Sequence, residues 1–245
     1  MPSSLFVSAV LLAAGQSTRM GAGPRKPFLP LGGDTILAWA LKSLAQGPCV
    51  QEVVVVAPPD QVHEARAEAL RAAAGAERPE SWVSAVVAGG AERTDSVHAG
   101  VQAVADAAQV ILVHDAARPF VRPARIEQVA RCAAERGAAL LAVRVSDTIK
   151  TSQDGVQVSG TLNRSELWVA QTPQAFDAQR FRKVLEQARQ GDVAATDDAA
   201  LFERYEGPVT LVEGDRDNIK ITTTEDLVHA AAIVRERAER EGAQG

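Results

Sequence analysis

A basic, glycine-containing stretch follows the first apolar run of the chain. Between Ala13 and Gly33 the sequence carries Arg19, Arg25 and Lys26 but no acidic residue. Small residues let a backbone approach a ligand closely, and cations beside free backbone N–H groups bind phosphate. We therefore predict that this stretch binds an anion, most simply a phosphate. The alternative is a surface loop whose basic residues have no ligand.

The stretch fits neither of the common phosphate-binding motifs. A Gly-x-Gly-x-x-Gly motif starting at Gly21 would need glycine at position 26, where the chain has Lys26, and the Gly-Lys-Ser/Thr of a P-loop is absent. We therefore expect neither a dinucleotide-dependent dehydrogenase nor a P-loop NTPase. Pro27 favours an extended backbone at the preceding lysine.

Two further polar groups follow apolar runs. In Gly89–Ser96 a glycine turn opens a helix, and its N–H groups with the Ser96 hydroxyl suit a base edge or an anion. An ordinary capped turn is the alternative. In His114–Pro119, Asp115 is the hard oxygen ligand that Mg²⁺ accepts and Arg118 suits a phosphate, unless the two simply form a salt bridge.

Weaker polar groups occur later in the chain. They are Asn163-Arg164, Gln171–Gln174 at the end of a predicted strand, Thr196–Asp198 at the start of a predicted helix, and Asp217–Thr222 on or beside a strand. The two cysteines and four histidines have no zinc-site or disulfide spacing.

Alternating strands and helices must position these groups. Apolar, β-branched runs predict buried strands at Leu5–Leu12, Glu52–Ala57, Trp82–Val87, Val110–His114, Ala138–Val143, Leu167–Gln171, Val209–Val212 and Asn218–Thr222. Helical patterns cover Thr35–Gln46, Gln61–Ala74, Glu92–Ala105, Arg125–Arg136, Ala178–Gln190 and a closing helix from about Thr224. This order predicts an α/β fold of the Rossmann type, with a mostly parallel sheet and helices on both faces, in one domain spanning 1–245.

The alternation breaks between Asp147 and Leu162. Asp154-Gly155 is a hairpin turn signal between two short, mostly polar segments. Such a hairpin buries little in its own domain, so we predict that 147–164 projects as an arm that docks on a second subunit. A solvated surface hairpin is the alternative.

The composition is that of a globular protein. Hydrophobic residues make up 46% of the 245 residues, charged residues 23%, and the net charge is −5. The acidic balance argues against a nucleic-acid partner. The apolar stretch from Leu5 to Ala14 has no basic residue before it and is too short to cross a bilayer. We therefore expect no membrane segment and a cytoplasmic protein.

Taken in order, the motifs AAG…R…K, GG..R..SV, HDAARP, DT.K, LW..QTPQ, TDDA and EG…NIK.T resemble one family over nearly the whole chain. That family is the 2-C-methyl-D-erythritol 4-phosphate cytidylyltransferases of non-mevalonate isoprenoid biosynthesis. The resemblance implies that the protein joins CTP and methylerythritol phosphate, giving the CDP-alcohol and pyrophosphate with Mg²⁺ as cofactor. It also implies a homodimer in which the arm crosses to the partner.

The resemblance assigns roles to individual residues. Cytidine contacts are implied for Ala13, Ala14, Gly15, Gly90 and Ser96. Arg19 and Lys26 should stabilise the transition state at the α-phosphate, and Arg164 and Lys220 should position the attacking phosphate. Binding of methylerythritol phosphate is implied for Asp115, Arg118, Thr148, Thr172 and Thr196, with Asp115 also a candidate metal ligand.

Three alternative functions share some of these features. A ribitol 5-phosphate cytidylyltransferase would differ only in the alcohol, and a sugar-1-phosphate nucleotidyltransferase would use another base. A nucleotide-binding regulator without turnover belongs to a different class. Arg19, Lys26 and Lys220 argue against the regulator, because a protein that only binds does not need so many charges aimed at phosphorus.

Overall fold

The computed structural model describes residues 5–15, 25–191 and 195–242. The strands are β1 Val7–Leu12, β2 Pro30–Leu31, β3 Asp34–Thr35, β4 Val50–Ala57, β5 Val83–Ala88, β6 Val110–Asp115, β7 Ala138–Arg144, β8 Lys150–Thr151, β9 Gly160–Thr161, β10 Trp168–Asp177 and β11 Thr210–Glu213. The α-helices are α1 Ile36–Ala45, α2 Val62–Gly75, α3 Arg93–Gln102, α4 Pro123–Arg136, α5 Ala178–Gln190, α6 Asp198–Tyr205 and α7 Thr224–Gly242.

Seven strands form the central sheet in the order β11-β7-β10-β6-β1-β4-β5. Only β10 runs antiparallel to its neighbours, β6 and β7; the other pairings are parallel. Continuous apolar runs produce this arrangement, because parallel strands are buried on both faces. The predicted mostly parallel α/β sheet is confirmed.

Helices cover both faces of the sheet. Leu11 of β1 belongs to a core with α1, α2 and α4, whereas Val10 belongs to a second core with α3, α5 and α6. Successive side chains of a strand point to opposite faces, so one central strand supplies both cores. None of the helices within the described residues combines the length and the apolar character that a bilayer span requires.

The chain reverses its direction of travel across the sheet at β1. From β1 it moves outward to β4 and β5, then returns to β6 on the other side of β1. Ligands of open α/β sheets bind beyond the carboxyl ends of the strands at such a point. The stretch after β1, the turn after β5 and Asp115 at the end of β6 all lie at this edge.

Two predicted strands differ from the structure. The strand expected to end at Gln171 continues to Asp177, so the polar residues 171–174 lie inside β10 and not at its end. Asn218–Thr222 is not a strand but a loop before α7. Its alternating apolar residues anchor the loop instead: Ile221 is fully buried, and its N–H donates to the Ala117 carbonyl at 2.8 Å.

The predicted arm forms a short ladder with a long tip. β8 and β9 pair antiparallel over two residues each, so Asp154-Gly155 lies inside a longer connection and not in a two-residue turn. The Asp154 carboxylate accepts the N–H groups of Val156 and Gln157 and orders the tip. Val156, Val158 and Leu162 of the arm are exposed, at 86%, 64% and 44%.

Candidate active site

A cavity of about 460 Å³ opens at the carboxyl edge of the sheet. Its walls come from the stretch after β1, the turn into α3, the end of β6 and the loop before α7. The predicted site residues that line it are Ala13, Ala14, Gly15, Lys26, Gly90, Ser96, Asp115 and Lys220. All three polar groups that follow predicted strands therefore contribute to one cavity, the third through Asp115 and Ala117.

The stretch after β1 packs directly against the turn after β5. The Ala13 N–H donates to the Val56 carbonyl at 2.7 Å, which holds the backbone beside β4. A Cβ added to Gly89 would lie 2.5 Å from Ala14 Cβ, so only glycine allows this approach. At Gly15, by contrast, an added Cβ would meet no heavy atom within 4 Å among the described residues beyond its chain neighbours. Gly15 itself lines the cavity.

Ser96 ties this turn to the first turn of α3. The Gly90 N–H donates to Ser96 Oγ at 3.1 Å, and the Ser96 hydroxyl donates to the Glu92 carbonyl at 3.2 Å. A Cβ on Gly90 would lie 2.2 Å from Asp95 Cβ, which excludes any larger residue from this backbone. Both Gly90 and Ser96 thus lie in the cavity wall, Ser96 buried behind the backbone that it shapes.

Lys26 is held in the wall by a 3-10 turn over Lys26–Phe28. Pro27 is buried and Phe28 packs against the core, so the turn is anchored beside the cavity. The expectation of an extended backbone at Lys26 is wrong, since Pro27 lies near the start of the turn, where a residue needs no N–H donor. Arg25, also in the wall, forms an ion pair with Asp60 at 2.9 Å. Arg19 lies outside the described residues.

Asp115 is held between two cations. Its Oδ2 lies 2.7 Å from Lys220 Nζ, and its Oδ1 lies 3.6 Å from Arg93 Nη2. Burial alone raises the pKa of the Asp115 carboxyl, but Lys220 and Arg93 outweigh it and bring that pKa below its ordinary value. Asp115 is therefore ionised at neutral pH, and its close partners are these two cations and not Arg118.

The loop before α7 positions Lys220. Asn218 is buried, and its Nδ2 donates to the Thr172 carbonyl at 2.9 Å. On the other side of the loop, Asp215 forms an ion pair with Arg125 at 3.3 Å. Together with buried Ile221, these contacts fix the backbone on both sides of Lys220.

Arg93 and Asp198 stand in the motifs GG..R..SV and TDDA, but neither received an individual role from the sequence. Arg93 Nη2 lies 2.8 Å from Asp198 Oδ2, and Asp198, the first residue of α6, is 1% exposed. Burial raises the pKa of the Asp198 carboxyl, although the charge of Arg93 acts to lower it. The pKa of Arg93 is raised, because the neighbouring carboxylates outweigh the effect of burial, so Arg93 remains charged. The signal that could have found Arg93 is a cation at the first position of a helix, where the macrodipole disfavours it.

A second cavity of about 310 Å³ adjoins the first. Its predicted site residues are Asp115, Arg118, Thr172, Thr196 and Lys220. Arg93, Asp115 and Lys220 line both cavities and form their junction. Arg118 is fixed in the second cavity by its Nη1, which donates to the Asn218 carbonyl at 2.8 Å.

A buried hydrogen-bond chain lies under the second cavity. His114 Nε2 is 3.0 Å from the Arg118 carbonyl, which can only accept, so Nε2 carries the proton. His114 Nδ1 therefore accepts the hydroxyl proton of Thr172 at 2.9 Å, while Thr172 Oγ1 accepts the Asp115 N–H at 3.0 Å. Burial lowers the pKa of His114 to about 4. Thr172 thus helps to fix the end of β6, and its hydroxyl proton is engaged by His114.

Two predicted site residues lie away from both cavities within one chain. Thr148 and Arg164 are exposed at the base of the arm, and neither lines a cavity wall. Arg164 Nη1 donates to the Ser146 carbonyl at 3.0 Å. They can complete the site only if the arm reaches a neighbouring subunit.

The described residues do not form a metal cage of their own. No group of three or more His, Cys, Asp or Glu side chains is arranged to hold an ion within 5–15, 25–191 and 195–242. Both oxygens of Asp115 face cations, which leaves it a poor partner for a divalent metal. A protein-bound Mg²⁺ at Asp115 therefore does not fit this donor set.

A mostly parallel sheet whose switch-point cavity combines a glycine turn with several cations defines a nucleotide-binding α/β protein. Comparison with known proteins narrows the class. The family model of IspD, 2-C-methyl-D-erythritol 4-phosphate cytidylyltransferase, matches residues 7–236. The chain belongs to this family.

Individual relatives agree with the family match. The chain is 43% identical to the 2-C-methyl-D-erythritol 4-phosphate cytidylyltransferase of Geobacillus kaustophilus, covering 94% of this chain and 97% of that protein. The same-named protein of Pelotomaculum thermopropionicum is 42% identical, over 96% of each chain. Among solved structures, the 4-diphosphocytidyl-2C-methyl-D-erythritol synthase of Anaerococcus prevotii gives a TM-score of 0.81 at 28% identity, covering 95% of this chain and 97% of that one. The 2-C-methyl-D-erythritol 4-phosphate cytidylyltransferase of Thermus thermophilus gives a TM-score of 0.73 at 34% sequence identity, covering 93% of this chain and 98% of that one.

Proposed function

We propose that this protein transfers the cytidylyl group of CTP to 2-C-methyl-D-erythritol 4-phosphate, in the non-mevalonate route to isoprenoids. The products are 4-diphosphocytidyl-2-C-methyl-D-erythritol and pyrophosphate. The observation that carries the proposal is the pair of adjoining cavities with Arg93, Asp115 and Lys220 at their junction. A nucleotide in the first and an alcohol phosphate in the second would bring their phosphates together there.

The reaction needs positioning and charge neutralisation, and no strong base. An oxygen of the alcohol phosphate attacks the α-phosphorus of CTP, a new P–O–P bond forms, and the bond from the α-phosphorus to the β-phosphate oxygen breaks. The attacking oxygen is already anionic, so no proton must be removed. Lys26 and Lys220 oppose the repulsion between the two phosphates, as fixed cations do in phosphoryl transfer. Neutral His114 fits this scheme, because its protons and lone pairs are engaged under the site.

Mg²⁺ belongs to the proposal as an ion bound with the nucleotide. It typically keeps several waters and is bound by one or two carboxylates plus substrate phosphates, and it would neutralise phosphate charge. The donor set of the site, with Asp115 between cations, favours the triphosphate as its main ligand. Titration of Mg²⁺ into the protein should therefore show weak binding without CTP and much tighter binding with it.

The arm supports a homodimer. Thr148 and Arg164 stand apart from the cavities of their own chain, and Val156 and Val158 offer apolar surface at the arm's tip. We propose that residues 147–164 dock on a second copy and supply these two polar residues to its site. One catalytic domain with this arm, working in the cytoplasm where CTP is available, completes the proposal.

The test is pyrophosphate release from CTP and Mg²⁺, with methylerythritol phosphate and ribitol 5-phosphate compared side by side. We expect a strong preference for methylerythritol phosphate. Preference for ribitol 5-phosphate would leave the assignment of the nucleotide site unchanged but would make ribitol 5-phosphate the alcohol substrate. CTP binding without release from either acceptor would favour a nucleotide-binding regulator and refute the proposal.

A further inference from the structure

Arg93 lies where the two cavities meet. Its Nη2 lies 2.8 Å from Asp198 Oδ2 and 3.6 Å from Asp115 Oδ1, and Lys220 Nζ lies 2.7 Å from the other oxygen of Asp115. Two carboxylates and two cations therefore alternate through the junction. The sequence gave roles to Asp115 and Lys220 but to neither Arg93 nor Asp198.

Both buried carboxylates approach one nitrogen of the guanidinium, Nη2. Asp198 is 1% exposed and faces Nη2, whereas a third of the Arg93 side chain remains exposed where it lines both cavities. A guanidinium has five N–H donors in a planar fork, which suits two oxygens of one phosphate. The donors turned from Asp198 can therefore meet a phosphate that enters the junction.

The position of Arg93 in the chain strengthens this argument. Arg93 is the first residue of α3, whose N-terminal end carries partial positive charge. A cation there is repelled by the helix unless anions compensate, and a counter-ion for Asp198 alone would need no reach into two cavities. Asp115 and Asp198 supply that compensation, and Arg93 still lines both cavities, where its exposed donors can meet an entering anion.

We propose, on the basis of the proposed function, that Arg93 is a catalytic residue that contacts the attacking phosphate of the alcohol substrate. Asp198 is its positioning residue, which holds the guanidinium at the junction through the buried ion pair. As the new P–O–P bond forms and the α–β bond breaks, Arg93 keeps the attacking phosphate beside the α-phosphorus against the repulsion of the triphosphate.

A double variant separates the role of Arg93 as a counter-ion of Asp198 from a role in catalysis. Arg93→Ala alone leaves a buried carboxylate without its cation and can unfold the protein. Arg93→Ala with Asp198→Asn removes both charges, so we expect a melting temperature close to that of the wild type. Arg131→Ala is the matched control, since it removes an arginine from an exposed helical ion pair with Glu127.

Kinetics with CTP and methylerythritol phosphate give the first readout. In Arg93→Ala/Asp198→Asn we expect kcat/KM for the alcohol phosphate to fall about 100-fold, the scale of one lost transition-state donor, with KM for CTP changed less than about threefold. Asp198→Asn alone should lower kcat about tenfold but have no effect once Arg93 is alanine, because residues acting through one another are non-additive. Arg131→Ala should behave as wild type.

A folded double variant that turns over within about threefold of wild type would overturn the proposal and leave Arg93 as a counter-ion of Asp198. Calorimetric binding of inorganic phosphate, without CTP, gives a readout independent of turnover. If the wild type releases no pyrophosphate, the proposed function fails, and the phosphate contact of Arg93 is then tested by the calorimetric measurement alone. Weaker phosphate binding in the double variant would support that contact, and equal binding would overturn it.

Discussion

Acidification should destabilise this protein through a single buried histidine. His114 is fully buried, donates from Nε2 to the Arg118 carbonyl, and accepts the Thr172 hydroxyl at Nδ1. Protonation of Nδ1 would remove that acceptor and place a charge in the core. For this reason burial lowers the pKa of His114 from 6.5 to about 4.

The size of the effect follows from the two pKa values. At pH values between the two pKa values, His114 binds a proton in the unfolded chain but not in the folded protein, so the free energy of unfolding rises with pH in this range. The contribution is fully present above about pH 6.5 and is lost as the pH falls towards about 4. The full difference of 2.5 pKa units corresponds to about 3 kcal/mol.

The assay is urea unfolding of wild type and His114→Gln at about pH 7 and about pH 4.5. Glutamine can keep the donor to the Arg118 carbonyl but does not titrate. We expect the wild type to lose about 2–3 kcal/mol more than the variant over this interval. Carboxylates common to both proteins cancel in the comparison. Equal losses in both proteins would refute the inference that His114 is held neutral in the fold.

Three further outcomes are expected. Lys26→Ala should lower pyrophosphate release by about 10²–10³-fold with an unchanged melting temperature, because the side chain lines the cavity wall outside the core; wild-type activity would exclude Lys26 from catalysis. Shortening the arm within 148–162 should reduce dimer content by sedimentation and activity together, a result that a fully active monomer would contradict. Gly137→Ala should cost about 1–3 kcal/mol in urea unfolding, because φ at Gly137 is +92° and the new Cβ would meet Arg180; an unchanged midpoint would show that the turn adapts.

The parallel strands of the sheet could be predicted because each is marked by a continuous apolar run in its own short stretch of sequence. Runs such as Val110–Val113 are apolar at every position, as burial on both faces requires, and glycine or proline separates them from the helices. The site's place followed from the same pattern, since parallel strands end at one edge. Ala13–Gly15, Gly90 and Asp115 meet there because each follows such a run directly.

The antiparallel strand β10 could not be predicted to its full length, because its second half carries polar residues. These residues are buried by partners from distant segments: Gln171 donates to the Asp215 carbonyl, and Gln174 to Asp197. A periodicity argument treats glutamine as a sign of solvent and therefore ends the strand too early. At Asn218–Thr222 a strand was predicted where the structure has a loop, because the alternating isoleucines that suggested a strand instead anchor the loop.

The same reasoning explains why the junction of the cavities was only half visible. Asp115 and Lys220 each stand in a short motif, so their types and positions suggested chemistry. Arg93 and Asp198 also stand in the motifs GG..R..SV and TDDA, but they acquire a role only as a pair, because a buried carboxylate beside a helix-initial arginine is stable only when the fold joins them. If the pair served stability alone, apolar residues of similar volume could replace it at little cost, and often with a gain. A charged pair at the meeting point of two anion-binding cavities is therefore better explained by the phosphates that must come together there.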